Sequence, residues 1–197
     1  MHSRLVSKLF VLAAALAFSA SGLLAQHVVH AVTGAVSNVD ANAKTIAVKT
    51  ADSGEEVFKY TEKTSVRGAT AAGNAAKTAA KTAAVDTYMA GKEGTHMVVR
   101  YVGKGADKTA SGIKDFGQDS LKVSKGTVTH VDQAAHTVGI KTEDGVEATY
   151  RLSKYAAVDT EHGVVEGTKY TAKEGDHVVV HYSEEAARKV VHFLKHI

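Results

Sequence analysis

The chain has 197 residues, with 24 Lys and Arg against 21 Asp and Glu, 11 His, 17 Gly, and neither Cys, Pro nor Trp. Without cysteine there is no disulfide framework and no thiol nucleophile, so stability rests on packed cores alone. The formal charge of +3 falls to +1 when Arg4 and Lys8 of the N-terminal segment are set aside. No run of Lys and Arg is interleaved with aromatics, so the chain makes no electrostatic case for nucleic acid.

Arg4 and Lys8 form a basic start, followed by the apolar run Leu9 to Phe18 and then small residues to Ala25. That order predicts a signal peptide over 1–25, cut before Gln26, and an exported product that is periplasmic or secreted. The apolar run is too short to span a bilayer, which takes ~20 residues, so no transmembrane segment is expected once the leader is gone. The remainder is long enough for one large domain or two small ones.

It reads as two copies of one unit. Gly34 to Thr50 matches Gly126 to Thr142 at 8 of 17 positions, and Lys92 to Tyr101 matches Lys173 to Tyr182 at 7 of 10. Such agreement at the same spacing predicts a duplicated β-rich unit. In the first copy, Val36 and Val39 are three apart, as are Val128 and Val131 in the second. A strand that turns both inward needs a bulge near Asn38 and His130. Ile46 and Val48, like Val138 and Ile140, alternate as a half-buried strand does. Asp52-Ser53-Gly54 and Asp144-Gly145 are hairpin signals, after which Phe58 and Tyr60 correspond to Tyr150 and Leu152. Val66 and Val158 mark a short fourth strand; Met97, Val99 and Tyr101, with Val178, Val180 and Tyr182, mark a fifth.

The copies diverge between these strands. Residues 69–84 are rich in alanine and predict a helix in the first unit, whereas the second has only the shorter stretch 161–170. Lys104 to Phe116 reads as a weak helix entering a linker. Glu184 to Ile197 places Ala187, Val190, Val191, Leu194 and Ile197 on one stripe behind a suitable cap, Ser183, and predicts an amphipathic C-terminal helix. The expected organisation is a signal peptide over 1–25, a first small β-barrel with an Ala-rich helical insertion over 26–103, a helical or flexible linker over 104–125, and a second barrel with the C-terminal helix over 126–197. The fold class is mainly β: two tandem five-stranded small barrels, OB-like or SH3-like, because five strands around a narrow core curl shut.

Ten histidines remain after His2 is lost with the leader. On the expected last helix, His192 and His196 lie four apart and are the candidate metal ligands, suited to Zn²⁺, Cu²⁺ or Ni²⁺. His177 and His181 share a strand face but sit ~13 Å apart. His96, His130, His136 or His177 could join a cluster only through tertiary folding. Zinc-protease, nucleophile-elbow, Walker and dinucleotide motifs are all missing from the sequence, so no cofactor and no enzymatic activity are expected. Asp40 and Asp132 open hairpin connections, where Asp caps the turn.

The strand signatures Gly34-x-Val36-x-x-Val39-Asp40, Thr45-Ile46-x-Val48-Lys49-Thr50 and Gly94-x-x-x-Val98-Val99-x-Tyr101 resemble a group of exported bacterial small-barrel domains of unknown function, OB-like in outline and here present twice. The resemblance implies a small barrel and chooses no ligand. Exported OB-like metal chaperones carry clustered Met, His and aromatic residues, whereas this chain keeps only Met89 and Met97 after the leader. The expected function is a non-enzymatic binding or structural module of the cell envelope, with an envelope protein or polymer as partner. The alternative is a divalent-metal protein working through its histidines.

Overall fold

The computed structural model describes residues 28–68 and 82–197. The leader and the Ala-rich run from 69 to 81 lie outside the described residues. The first unit contains β1 (His30–Asp40), β2 (Thr45–Thr50), β3 (Gly54–Lys59), β4 (Ser65–Arg67), α1 (Thr82–Met89), β5 (His96–Val102) and β6 (Thr109–Asp115). The second contains β7 (Lys122–Asp132), β8 (Thr137–Thr142), β9 (Glu147–Thr160), β10 (Gly163–Glu166), β11 (His177–Glu185) and β12 (Arg188–His196).

Each unit is a sheet of six strands rather than five, ordered β3-β2-β1-β5-β6-β4 and β10-β9-β12-β11-β7-β8. The second closes on itself through five residue pairs between β8 and β9, giving a five-stranded barrel with β10 added outside. The first curls until β3 meets β6 at one pair, Lys59 with Thr109. The three-residue valine spacing is met by a register shift between Val36 and Asn38 in β1, and by its copy between Val128 and His130 in β7. One extra residue on the bulged strand returns Val39 and Val131 to the side facing the core.

The alternating positions fill two equivalent interiors. Val36, Ile46, Val48, Phe58, Met97 and Val99 pack in the first; Val128, Val138, Ile140, Tyr150, Val178 and Val180 pack in the second. Val85 and Met89, four apart on α1, are fully buried in the first core. Tyr170 packs in the second.

Two expected helices are strands. Residues 104–125 hold β6 and the start of β7, and Gly105 and Gly112 already weaken a helix there. The expected C-terminal helix is the end of β11, a turn, and β12. Ala186 and Ala187 both have positive φ, 46° and 63°, as a two-residue type I′ hairpin requires, and β12 then pairs with β11 on one side and β9 on the other. The misleading stripe has a physical origin. Val191 and Leu194 both face the second core although they are three apart, because the register of β12 shifts at His192 against both neighbours. Phe193 points the other way, into a third apolar cluster. A bulged strand covered on both faces therefore carries helix-like spacing.

That third cluster joins the units. Ala31 and Val98 from the first sheet meet Ala157 and Phe193 from the second, with Phe116, Leu121 and Val164 packed around them. A backbone hydrogen bond from the Val164 N–H to the Val29 carbonyl (2.7 Å) crosses the same seam.

Candidate functional site

The seam is built from equivalent faces of the two units, and their side chains differ. Across β5, β6 and β4, Arg100 lies opposite Gly112, which lies opposite Ser65; one row along, Val98 lies opposite Lys114, which lies opposite Arg67. The inward residues of these strands are Val99, Ile113 and Val66, so Arg67, Arg100 and Lys114 share the outer face. In the second unit the corresponding rows are His181, Phe193 and Ala157, and Val179, Lys195 and Asp159. There the His181 and Phe193 rings meet at a tilt, with centroids 5.4 Å apart, and Phe193 occupies the position that Gly112 leaves open in the first unit.

The open place is a pit of about 70 Å³ lined by Ser65, Arg67, Arg100, Gly112 and Lys114, and covered from the second unit by Tyr155 and Glu166. The Arg67 guanidinium lies 3.8 Å over the Tyr155 ring, and its Nη1 is buried without a hydrogen-bond partner. One Arg100 nitrogen, Nη2, donates to the carbonyls of Tyr155 and Ala156, both at 3.3 Å. Burial lowers the Arg100 guanidinium from its ordinary value, with Glu166 opposing and Arg67 adding to the shift. Burial also holds the Lys114 ammonium down at about 8, opposed by Glu185 and reinforced by Arg100 and Arg67.

Lys114 begins a hydrogen-bonded chain that leads out of the seam. Its Nζ lies 2.8 Å from His192 Nδ1, His192 Nε2 lies 2.7 Å from Ser183 Oγ, and Ser183 Oγ lies 3.1 Å from Glu185 Oε1. An ammonium only donates, so Nδ1 accepts, Nε2 carries the proton, and Ser183 Oγ accepts from it and donates to Glu185. This direction is the reverse of a nucleophilic triad, in which the imidazole must take the serine proton and a carboxylate must hold its far nitrogen. Burial, and then Lys114, hold the His192 imidazole down to about 3, which makes it a poor base. The cluster positions charge; it does not activate Ser183.

A larger groove of about 760 Å³ lies on another side of the seam, where His30 from β1 faces Asp159, Val165, Tyr170, Asp176, Lys195 and His196 of the second unit, among others. His30 Nδ1 is 3.8 Å from Asp159 Oδ1. Burial raises the Asp159 carboxyl above its ordinary value, against the pull of His30 and Lys195. Tyr170 OH is 2.6 Å from His196 Nε2, and the His196 ring lies edge-on to Tyr170.

The two candidate metal ligands are thus placed apart. His192 is buried in the seam with both ring nitrogens engaged, and His196 lines the groove. Four residues along a strand amount to ~13 Å, so the helical pinch expected of them is not formed. His130 lies 3.6 Å from Glu147 on an exposed rim, and His177 lies beside Thr127. No group of three or more metal-capable side chains is assembled among the described residues. Arg67, Arg100 and Lys114 were not singled out in the sequence, where each resembles an ordinary surface charge. The available signal was Arg100 standing where the otherwise well-matched copy has His181.

No family model matches the chain, and no curated protein matches it. Among solved structures, the chain is similar to a crystal structure of Ag(I)CusF at 10% identity, covering 40% of this chain and 100% of that one, with a TM-score of 0.32. It is also similar to apo-CusF residues 6–88 from Escherichia coli at 11% identity, covering 42% and 95%, with a TM-score of 0.31. A structure of CusF-Ag(I) residues 10–88 from the same organism stands at 11% identity, 41% and 98% coverage and a TM-score of 0.31.

Proposed function

We propose that the chain is an exported, non-enzymatic binding module of the cell envelope, whose two fused β units present the seam groove to an extended envelope polymer or peptide. The observation that carries this reading is the groove itself. It draws on both units, His30 coming from the first sheet and the remaining wall from the second. Its wall combines the apolar Val165 and Ile197, the half-polar Tyr170, and both signs of charge in Lys169, Lys173 and Lys195 against Asp159 and Asp176. Such a mixture suits a polar chain with apolar contacts better than a small apolar ligand. The reversed hydrogen-bond direction at Ser183 supports a role without catalysis.

The test is cosedimentation of the purified exported protein with isolated cell-wall and outer-membrane fractions, compared with the double variant Val165→Glu, Lys173→Glu. Both positions are exposed, so the fold is expected to survive. Retention by the unaltered protein and its loss in the variant is the expected result. Equal retention of both, or retention of neither, overturns the reading.

A further inference from the structure

We infer that the pit between β4, β5 and β6 binds a small free oxyanion of the phosphate or sulfate class, held by Arg67, Arg100 and Lys114.

Three cations on adjacent rows of one sheet face repel each other, and like charges directly opposite across strands destabilise a sheet. Arg67 and Lys114 are such a directly opposed pair. What compensates them is incomplete: the pit wall holds one carboxylate, Glu166, while Glu185, whose charge favours the Lys114 ammonium, lies outside the wall and is linked to it by hydrogen bonds through His192 and Ser183. His192 contributes no charge. Arg67 gains the face of Tyr155, yet Nη1 remains buried with no acceptor. A buried unpaired donor on a charged group is costly, and an oxyanion is the ligand whose several acceptors would satisfy it together with the remaining donors of Arg100 and Lys114. Two planar guanidinium forks and one ammonium are the donor set that phosphate and sulfate take up.

The shape agrees with the charge. A Cβ on Gly112 would come within 3.1 Å of Ser65 Oγ and 4.0 Å of Arg100 Cδ, so the missing side chain is what leaves the floor open. About 70 Å³ is room for a group of a few heavy atoms, where one water needs about 10–15 Å³. The second unit has no such site: Phe193 fills the floor, and Asp159 and His181 stand where Arg67 and Arg100 stand in the first. Lys195 keeps the charge of Lys114, so the two guanidinium groups are what the first copy alone carries.

Calorimetric titration of the purified protein with inorganic phosphate and with sulfate, at constant ionic strength in chloride, tests the assignment. Saturable one-to-one uptake is expected, weakened by about tenfold or more in Arg67→Met, as for loss of a charge-assisted bond. Ser65→Trp, a substitution at an exposed rim position, should block uptake equally, and it keeps the test open should removal of the Arg67–Tyr155 stack disturb the fold. The groove variant Val165→Glu, Lys173→Glu should bind the anion as the unaltered protein does, which separates this site from the polymer groove. Heats indistinguishable from a chloride injection, or unchanged affinity in both Arg67→Met and Ser65→Trp, overturn it.

Discussion

His192 and His181 are held neutral by burial, the first down to about 3 with Lys114 adding to the effect, the second down to about 4. An unfolded chain protonates both near 6.5. Between roughly pH 4 and 6.5 the unfolded state therefore binds more protons than the folded one, and stability falls as pH falls through that window. At pH 4.5 the loss is on the order of 3 kcal/mol for each imidazole, since each pH unit amounts to about 1.4 kcal/mol. Urea unfolding at pH 7 and pH 4.5 checks this. His192→Gln should shrink the difference between the two pH values by roughly that amount, and an undiminished difference refutes the account. Lys114 titrates early for the same reason and with the same sign, in a window at higher pH. Its folded value of about 8 lies below the usual 10.5, so the penalty of its buried charge is present at neutral pH and is relieved as pH rises from 8 towards 10. The shifts of these three groups are not legible in the sequence, because they come from the cover that the other unit places over them.

At the scale of elements, the hairpin between β11 and β12 decides between two structures that one sequence pattern can describe. Ala186 and Ala187 occupy positive φ, where asparagine and glycine are far more comfortable. The double substitution Ala186→Asn, Ala187→Gly should raise stability by about 1 kcal/mol in a thermal or urea melt. In a helix the glycine alone would cost about 1 kcal/mol relative to alanine, so the sign of the change is diagnostic. Strands that show plain alternation, such as β2 and β8, were readable directly, and the bulges in β1 and β7 were readable from a valine spacing that simple alternation cannot satisfy. β12 was not, because its bulge at His192 and its burial on both faces imitate a helical stripe. β6 escaped for a related reason: it is the copy of β12, and Gly112 at the place of Phe193 removes the side chain that would have marked the repeat. The cations of the pit are spread over positions 67, 100 and 114, and only strand register brings them together.

For the whole molecule, the apolar seam implies that the two units unfold together. Val98 faces the seam, not its own core, and is 3% exposed. Val98→Glu therefore buries a charge between the units while leaving the first interior filled. Differential scanning calorimetry should show one cooperative transition for the unaltered protein and two resolved transitions for the variant, the seam being the coupling that is lost. A single unshifted transition in the variant would mean that the Val98 contact contributes nothing to that coupling.

The position of β12 also fixes an order of events during folding. This strand lies between β9 and β11, so the second barrel cannot close until residues 188–196 are in place, whereas every described strand of the first sheet is complete at Asp115. Until then the first unit must persist with Val98 and Ala31 uncovered and its three cations open to solvent. A long-range strand pairing made last is the slow step of such a chain, and the half-finished molecule is the form in which its charged face is available to anything nearby.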